Sequence, residues 1–168
     1  MTGHHTLRNT EDAISSRLGD LNLDFEAMWA VSNIYRASAA IRNHLEQTVL
    51  RGTGLTWTGF VVLWVVWIWD ESETRHVAEE AGISKGTLTG VIKTLESYRY
   101  VKRGPHATDK RRVMLSITPT GDRLMRTLFP EFNKEEAFVV KQLDSTQRQD
   151  LAGSLRAIVQ HLEQTARE

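Results

Sequence analysis

Residues 74–121 constrain the fold more than any other part of this chain. They contain two helical patterns separated by a glycine, and then two strand patterns on either side of a basic, turn-rich tip. The predicted segments are a helix over Arg75–Ala81, a helix from Ser84 to about Tyr98, and strands over Tyr100–Arg103 and Val113–Ile117. Gly82 suits a turn because glycine tolerates the left-handed conformation, and serine is a favoured helix N-cap. This order predicts a helix-turn-helix followed by a β-hairpin wing.

Helical patterns also flank this stretch. Apolar residues recur at steps of mostly three and four over Asp24–Leu50, which predicts a long helix ended by Gly52 and Gly54. Trp57–Asp70 is rich in Val and Trp, but its length favours a helix over a strand, with Thr56 as its cap. The segment 71–74 is predicted to be a turn.

The carboxyl-terminal part is predicted to form two more helices. One begins at Pro119 and continues past Pro130, where a kink is expected. Asp144 followed by Gln147 is the signature of a capping box at the start of the last helix. The predicted fold is therefore mainly α with a small β-wing. Residues 1–20 are polar and are predicted to be a flexible segment, and residues 21–168 a single domain.

The charges are unevenly distributed, although the net charge is zero. Ser84–Arg112 carries eight cationic and two anionic residues, an excess of six positive charges that the rest of the chain balances. A concentrated basic patch on an acidic body is typical of a protein that binds DNA through one face. A solvated helix face and a bare charged loop are the alternative interpretations.

Several classes of function lack the residues that they need. The chain has no cysteine, its six histidines include no pair at four-residue spacing, and no catalytic triad or phosphate-binding glycine loop is present. We therefore expect no metal, no cofactor and no enzymatic activity. The longest apolar run, Phe60–Trp69, is half the length of a membrane span, and no signal peptide is recognised, so we expect a cytoplasmic protein.

Residues 74–121 also contain motifs that occur together in one protein family. The motifs are Val77-Ala78, Ile83-Ser84-x-x-Thr87-Leu88-Thr89, and Asp109-x-Arg111 continuing to Leu115-x-Ile117-Thr118-x-x-Gly121. In these motifs the chain resembles the MarR family of bacterial winged-helix regulators. The resemblance extends, in helix order and length, over nearly the whole chain.

The resemblance implies a homodimer on a pseudo-palindromic operator, released when a small ligand binds between the dimer region and the DNA-binding lobe. The dimerisation helices would be about residues 22–50 and 120–166, and the lobe about 55–121. The family's recognition-helix contacts match Ser84, Thr87 and Thr89, and its wing-tip pair matches Asp109 and Arg111. The basic patch adds further candidate DNA-binding residues, which are Lys85, Lys93, Arg103, Lys110 and Arg112.

Two positions depart from the family pattern. Gly90 stands where many members have arginine, which removes one direct contact with DNA. Arg99 stands where the family's turn after the recognition helix usually has glycine, and we expect the chain to turn there nevertheless.

Tryptophan is concentrated in one segment, with four of the five residues between Trp57 and Trp69. One interpretation is a pocket for a flat aromatic ligand, lined by Trp29, Trp64 and Trp67. The other is that these large side chains fill the core. The sequence thus predicts a homodimeric repressor of transcription, released from DNA by a small aromatic or lipophilic ligand. A small enzyme with a tryptophan-rich cavity and an architectural DNA-binding protein without a ligand are the alternatives.

Overall fold

A computed structural model describes residues 6–109 and 111–165. In these residues the elements are α1 Leu7–Leu18, α2 Phe25–Gln47, α3 Trp57–Trp69, β1 Glu71–Glu73, α4 Thr74–Glu80, α5 Lys85–Ser97, β2 Val101–Pro105, β3 Val113–Ile117, α6 Pro119–Val139 and α7 Ser145–Thr165. The chain divides into two compact units, and the boundary lies within α2, between His44 and Leu45. The predicted mainly helical fold with a small β-wing is confirmed.

The first unit contains α1 and most of α2. Thr6 caps α1 by accepting a hydrogen bond from the Asn9 amide at 3.1 Å. Glu11 of α1 accepts a hydrogen bond from the side chain of Asn33 in α2 at 3.2 Å. The structure therefore has a helix over much of residues 1–20, where the sequence predicted a flexible segment. The cap and the contact with α2 stabilise a helix whose own apolar content is low.

The second unit is organised around α3. Val62, Leu63, Val65 and Val66 of this helix are buried, and the ring of Phe60 stacks on that of Phe132 in α6, with centroids 4.4 Å apart. A helix that is apolar on all sides is usually buried, and α3 contacts α4, α5, α6 and the sheet, while its residues Trp64, Ile68 and Trp69 stay exposed. No helix in the described residues is long and apolar enough to span a membrane.

The sheet has three antiparallel strands in the order β1-β3-β2. Val101 pairs with Ile117 at the base of the wing, and Glu73 of β1 pairs with Met114. The prediction of a turn over 71–74 was wrong, since residues 71–73 form β1. This strand has the sequence Glu-Ser-Glu, without the apolar alternation that signals a strand, and it forms because β3 supplies its hydrogen-bond partners.

The predicted helix caps are confirmed. The hydroxyl of Ser84 accepts from the Thr87 amide, and that of Thr56 accepts from the Gly59 amide, both at 3.1 Å. Asp144 and Gln147 form the reciprocal pair of a capping box, with both hydrogen bonds 2.9 Å long. Helix ends differ from prediction by up to three residues; α2, for example, ends at Gln47 rather than Leu50.

Candidate nucleic-acid interface

The exposed face of α5 carries the residues predicted to contact bases and phosphates. Leu88, Ile92 and Leu95 are buried on the opposite face, and this burial leaves the following candidate residues exposed: Ser84, Lys85, Thr87, Thr89 and Lys93. All three of their hydroxyls already have intramolecular partners. Ser84 caps the helix and lies 2.9 Å from the Thr87 hydroxyl, and the Thr89 hydroxyl donates to the Lys85 carbonyl at 2.9 Å.

The tip of the wing holds Asp109 and Arg111 together. Oδ1 of Asp109 accepts hydrogen bonds from the Arg111 amide at 3.0 Å and from Arg111 Nε at 3.3 Å. These bonds, first that of the amide and then that of the side chain, lower the pKa of Asp109 and keep its carboxyl group ionised. The side chain of Arg111 remains 92% exposed. Lys110 lies outside the described residues.

Two further arginines of the wing are paired with carboxylates. Arg103 of β2 donates to both oxygens of Glu96 in α5, at 3.0 and 2.5 Å. Arg112 donates from Nε and Nη2 to one oxygen of Glu73, at 2.8 and 2.6 Å, and this hydrogen bonding lowers the pKa of Glu73. The first pair joins the wing to α5, and the second joins it to β1.

Neither ion pair was predicted from the sequence. Glu96 is seven residues from Arg103, a spacing that crosses the turn between α5 and β2. Glu73 is 39 residues from Arg112 and lies in the strand that was not predicted. No local pattern signals a pair of this kind, because the sheet brings the two residues together.

A cleft of about 350 Å³ lies between α5 and the wing. It brings together five of the predicted DNA-binding residues, which are Lys85, Thr89, Arg103, Arg111 and Arg112. Ser84, Thr87 and Lys93 lie on α5 but do not line this cleft. A concave surface with converging cations attracts a polyanion. In the described part of the chain, no cluster of histidines and carboxylates is arranged to hold a metal ion.

The chain leaves α5 through a turn that Arg99 makes in the left-handed conformation, with φ of 59°. The Arg99 amide donates to the Glu96 carbonyl and the Tyr100 amide to the Leu95 carbonyl, both at 2.9 Å, which is the Schellman arrangement. The expected turn without glycine is therefore present. The helix α4 ends in the same way at Gly82, whose φ is 62°.

The junction between the wing and α6 explains the Thr-x-x-Gly motif. The Thr118 hydroxyl caps α6 by accepting from the Gly121 amide at 3.0 Å. The same hydroxyl donates to the carbonyls of Arg99 and Tyr100, with oxygen–oxygen distances of 2.5 and 3.1 Å. A Cβ atom on Gly121 would lie only 2.2 Å from the Tyr100 carbonyl oxygen. Position 121 therefore has no room for a side chain.

The tryptophans of α3 have different environments. Trp67 donates its indole N–H to Asp122 Oδ1 at 2.9 Å, and its ring lies 5.7 Å from that of Phe129, so this side chain is engaged in packing α3 against α6. Trp64 is 37% exposed. Trp29 belongs to the first unit, where its ring lies 6.1 Å from that of Phe25.

The helix-turn-helix, the wing and the cleft between them define a winged helix-turn-helix DNA-binding protein. Comparison with known sequences is more specific, since a profile described as "MarR family" matches residues 55–113. The chain is also 34% identical over 165 residues to the uncharacterized HTH-type transcriptional regulator YwaE of Bacillus subtilis, covering 96% of both proteins. The chain belongs to the MarR family of DNA-binding transcriptional regulators, and members of this family are not enzymes.

Solved structures share the fold. Sco3205, a MarR family transcriptional regulator from Streptomyces coelicolor, was crystallised in complex with DNA. It matches 83% of this chain and 89% of its own, with a TM-score of 0.75 and 21% identity. BpsR of Bordetella bronchiseptica, whose DNA binding is regulated by 6-hydroxynicotinic acid, matches 78% of this chain and 98% of its own, with a TM-score of 0.72 and 22% identity.

Proposed function

We propose that this regulator is a homodimeric repressor that acts in the cytoplasm on a pseudo-palindromic operator and is released by a small aromatic or lipophilic ligand. The observation that carries the DNA-binding part is the cleft between α5 and the wing, on whose walls Lys85, Thr89 and Arg111 meet. The two walls fit a duplex in different ways, because a helix can enter the major groove while an arginine enters the narrower minor groove.

The geometry supports different roles for the candidate residues. On α5, Lys85, Thr87, Thr89 and Lys93 are exposed and contact the DNA, while Ser84 orders the first turn of the helix. In the wing, Arg111 contacts the DNA directly, held by Asp109. Lys110, which lies outside the described residues, stays a predicted contact. Arg103 and Arg112 are held in ion pairs, which favours a role in fixing the position of the wing. Only the N–H groups that these pairs leave unused would contact phosphates.

An exposed apolar stripe on α7 supports pairing with a second copy. Its residues recur at steps of three and four on one side of the helix, and they are Leu151, Leu155, Ile158, Val159 and Leu162. Burial of such a stripe against its symmetry mate would place two recognition helices about 34 Å apart, one turn of DNA.

The ligand part of the proposal keeps Trp64 and Trp67 of α3 as the lining residues of a pocket, as the concentration of tryptophan in this segment predicted. BpsR has the same fold and is regulated by 6-hydroxynicotinic acid, which supports a flat aromatic ligand as the effector of this protein. The ligand would act by population shift, since it releases DNA only as far as it binds the DNA-incompetent state more tightly. The engagement of Trp67 with Asp122 and Phe129 favours the alternative of a regulator without a ligand.

Selection of bound sequences from random DNA tests the proposal. An inverted repeat with half-sites one helical turn apart is expected, and recovery of a single asymmetric site would contradict the dimer. On the selected operator, Arg111→Ala should weaken binding by roughly 1–3 kcal/mol while the fold is retained. Unchanged affinity would refute the role of the wing. Candidate effectors should quench tryptophan fluorescence and release DNA at the same concentration, and quenching without release would show that the site is not the switch.

A further inference from the structure

The turn at the tip of the wing is built around the imidazole of His106. The His106 amide donates to the Arg112 carbonyl at 3.0 Å and so extends the pairing of β2 and β3 by one step. The ring then folds over the turn, and its Nδ1 lies 3.3 Å from the amide nitrogens of both Thr108 and Asp109 and from the Thr108 hydroxyl. The ring is half-buried in this position.

These contacts determine which form of the imidazole fits the turn. A backbone amide can only donate, so Nδ1 must present its lone pair, and the ring must be neutral with its proton on Nε2. In this form the imidazole accepts amide hydrogen bonds as the side chains of Asn and Asp do in turns. A protonated ring carries hydrogen on both nitrogens. Its Nδ1 would then be a donor opposite two amide donors, and both hydrogen bonds would be lost.

The same turn holds the exposed arginine of the wing. His106 fixes the amide of Asp109, the Asp109 carbonyl accepts from the Arg112 amide at 3.0 Å, and the Asp109 carboxylate accepts from the amide and Nε of Arg111. The hydrogen bonds therefore connect the imidazole to Arg111 through one residue. Arg111 has little other support, because its side chain is 92% exposed.

We infer that neutral His106 is a positioning residue that orders the wing tip and presents Arg111 to DNA, and that protonation of its ring loosens the tip and weakens operator binding. This inference rests on the proposed contact of Arg111 with DNA. Among the described residues, the Asp109 carboxylate interacts electrostatically with the imidazole and with Arg112, and it is hydrogen-bonded to Arg111.

The inference predicts the opposite sign to a direct contact between His106 and phosphate. A histidine that binds phosphate does so better when protonated, so affinity would rise on acidification. A histidine that accepts from the turn loses its hydrogen bonds when protonated, so affinity falls. Each of the two wings of a dimer would lose the hydrogen bonds that order its tip, so we expect a loss of roughly tenfold or more.

The test is operator affinity at pH 7.5 and at pH 5.5, at constant ionic strength. His106→Asn keeps a side-chain acceptor that does not titrate, and His106→Ala removes the acceptor. We expect the unmodified protein to lose affinity on acidification by roughly tenfold relative to His106→Asn. At pH 7.5, His106→Asn should bind like the unmodified protein and His106→Ala more weakly. The three proteins differ only at position 106, so the comparison isolates His106.

Three results would overturn the inference. A pH response equal in the unmodified protein and in His106→Asn would show that the ring does not govern the tip. A rise in affinity on acidification that His106→Asn abolishes would assign the ring to phosphate. Unaltered binding by His106→Ala at pH 7.5 would show that the turn needs no cap. Arg111→Ala in the same assay separates the two levels: normal binding by that variant refutes the wing contact itself, whereas weakened binding with a normal His106→Ala refutes only the role of His106.

Discussion

Gly90 provides the most direct test of how α5 faces DNA. It lies in the interior of the helix on the exposed face, and an added Cβ atom would meet no heavy atom within 4 Å. Glycine inside a helix is about 0.8–1.0 kcal/mol less favourable than alanine. Gly90→Ala should therefore raise the free energy of unfolding by roughly 0.8 kcal/mol, which for a chain of this length raises Tm by about 2–3 °C.

Charged residues at the same position separate helix stability from DNA contact. Gly90→Arg and Gly90→Glu should both stabilise the helix, since arginine and glutamate are good helix formers, but they should change operator affinity in opposite directions. We expect about eight phosphate contacts per dimer and hence a slope near −7 for log K against log salt. Gly90→Arg adds one cation per protomer, and the slope should steepen to about −9.

Calorimetry and salt-dependent DNA titration of the three variants provide the measurement. A lower Tm for Gly90→Ala would refute the open space around position 90. Equal operator affinity for the arginine and glutamate variants would show that this face of α5 lies away from the duplex, whatever the wing does.

Three further changes test the fold around the interface. Arg99→Gly removes the strain of an arginine in the left-handed conformation and should raise the free energy of unfolding by about 0.5–1 kcal/mol. Gly82→Ala introduces the same strain and should lower the free energy of unfolding by about 1 kcal/mol. Both changes are measured by unfolding in urea, and changes of the same sign and size would show that φ is not the cause. The lowered pKa of Glu73 means that its ion pair stabilises the fold above about pH 4.5 and is lost as the pH falls through the folded-state pKa. The stability difference between the unmodified protein and Glu73→Gln should therefore shrink from pH 7 to pH 3, and a constant difference would contradict the pairing. Trp67→Phe removes the donor to Asp122, so it should destabilise the unmodified protein more than it destabilises the Asp122→Asn variant, in which the acceptor is an amide oxygen in place of the carboxylate. Additive losses in this double-mutant cycle would show that the two side chains are not coupled.

Features that depend on contacts within three or four residues were predictable from the sequence. Ser84, Thr56 and Asp144 cap helices as expected, because a cap needs only a side-chain oxygen and an amide two or three positions later. Gly52 and Gly54 have the predicted left-handed conformation, with φ of 83° and 76°, but they lie in the loop after α2 and do not end the helix, whose last residue is Gln47.

Features that depend on distant partners were not predictable. The strand β1 is short and polar, and it exists only because β3 lies beside it. The same contact decides the environment of Arg112, which the sequence presents as one cation among eight and the structure pairs with Glu73. Counting Glu73 with the basic patch lowers its local excess from six positive charges to five. Charge counts along a chain therefore overestimate the cations that a folded interface offers to DNA.

The junction at Thr118 and Gly121 has a consequence for the construction of hybrid regulators. One threonine caps the long helix α6 and bonds to the carbonyls that follow α5, and the backbone of α6 approaches Tyr100 too closely for any side chain at position 121. The segment from the end of α5 to the first turn of α6 is therefore a single module, which must be transplanted whole. A hybrid spliced between the wing and α6 would join surfaces that are not shaped for each other. Splice points before Thr56 and after Asp122 would keep the contacts of Thr118 and Gly121 with Arg99 and Tyr100, and would transfer the DNA specificity of one regulator to the remaining helices of another.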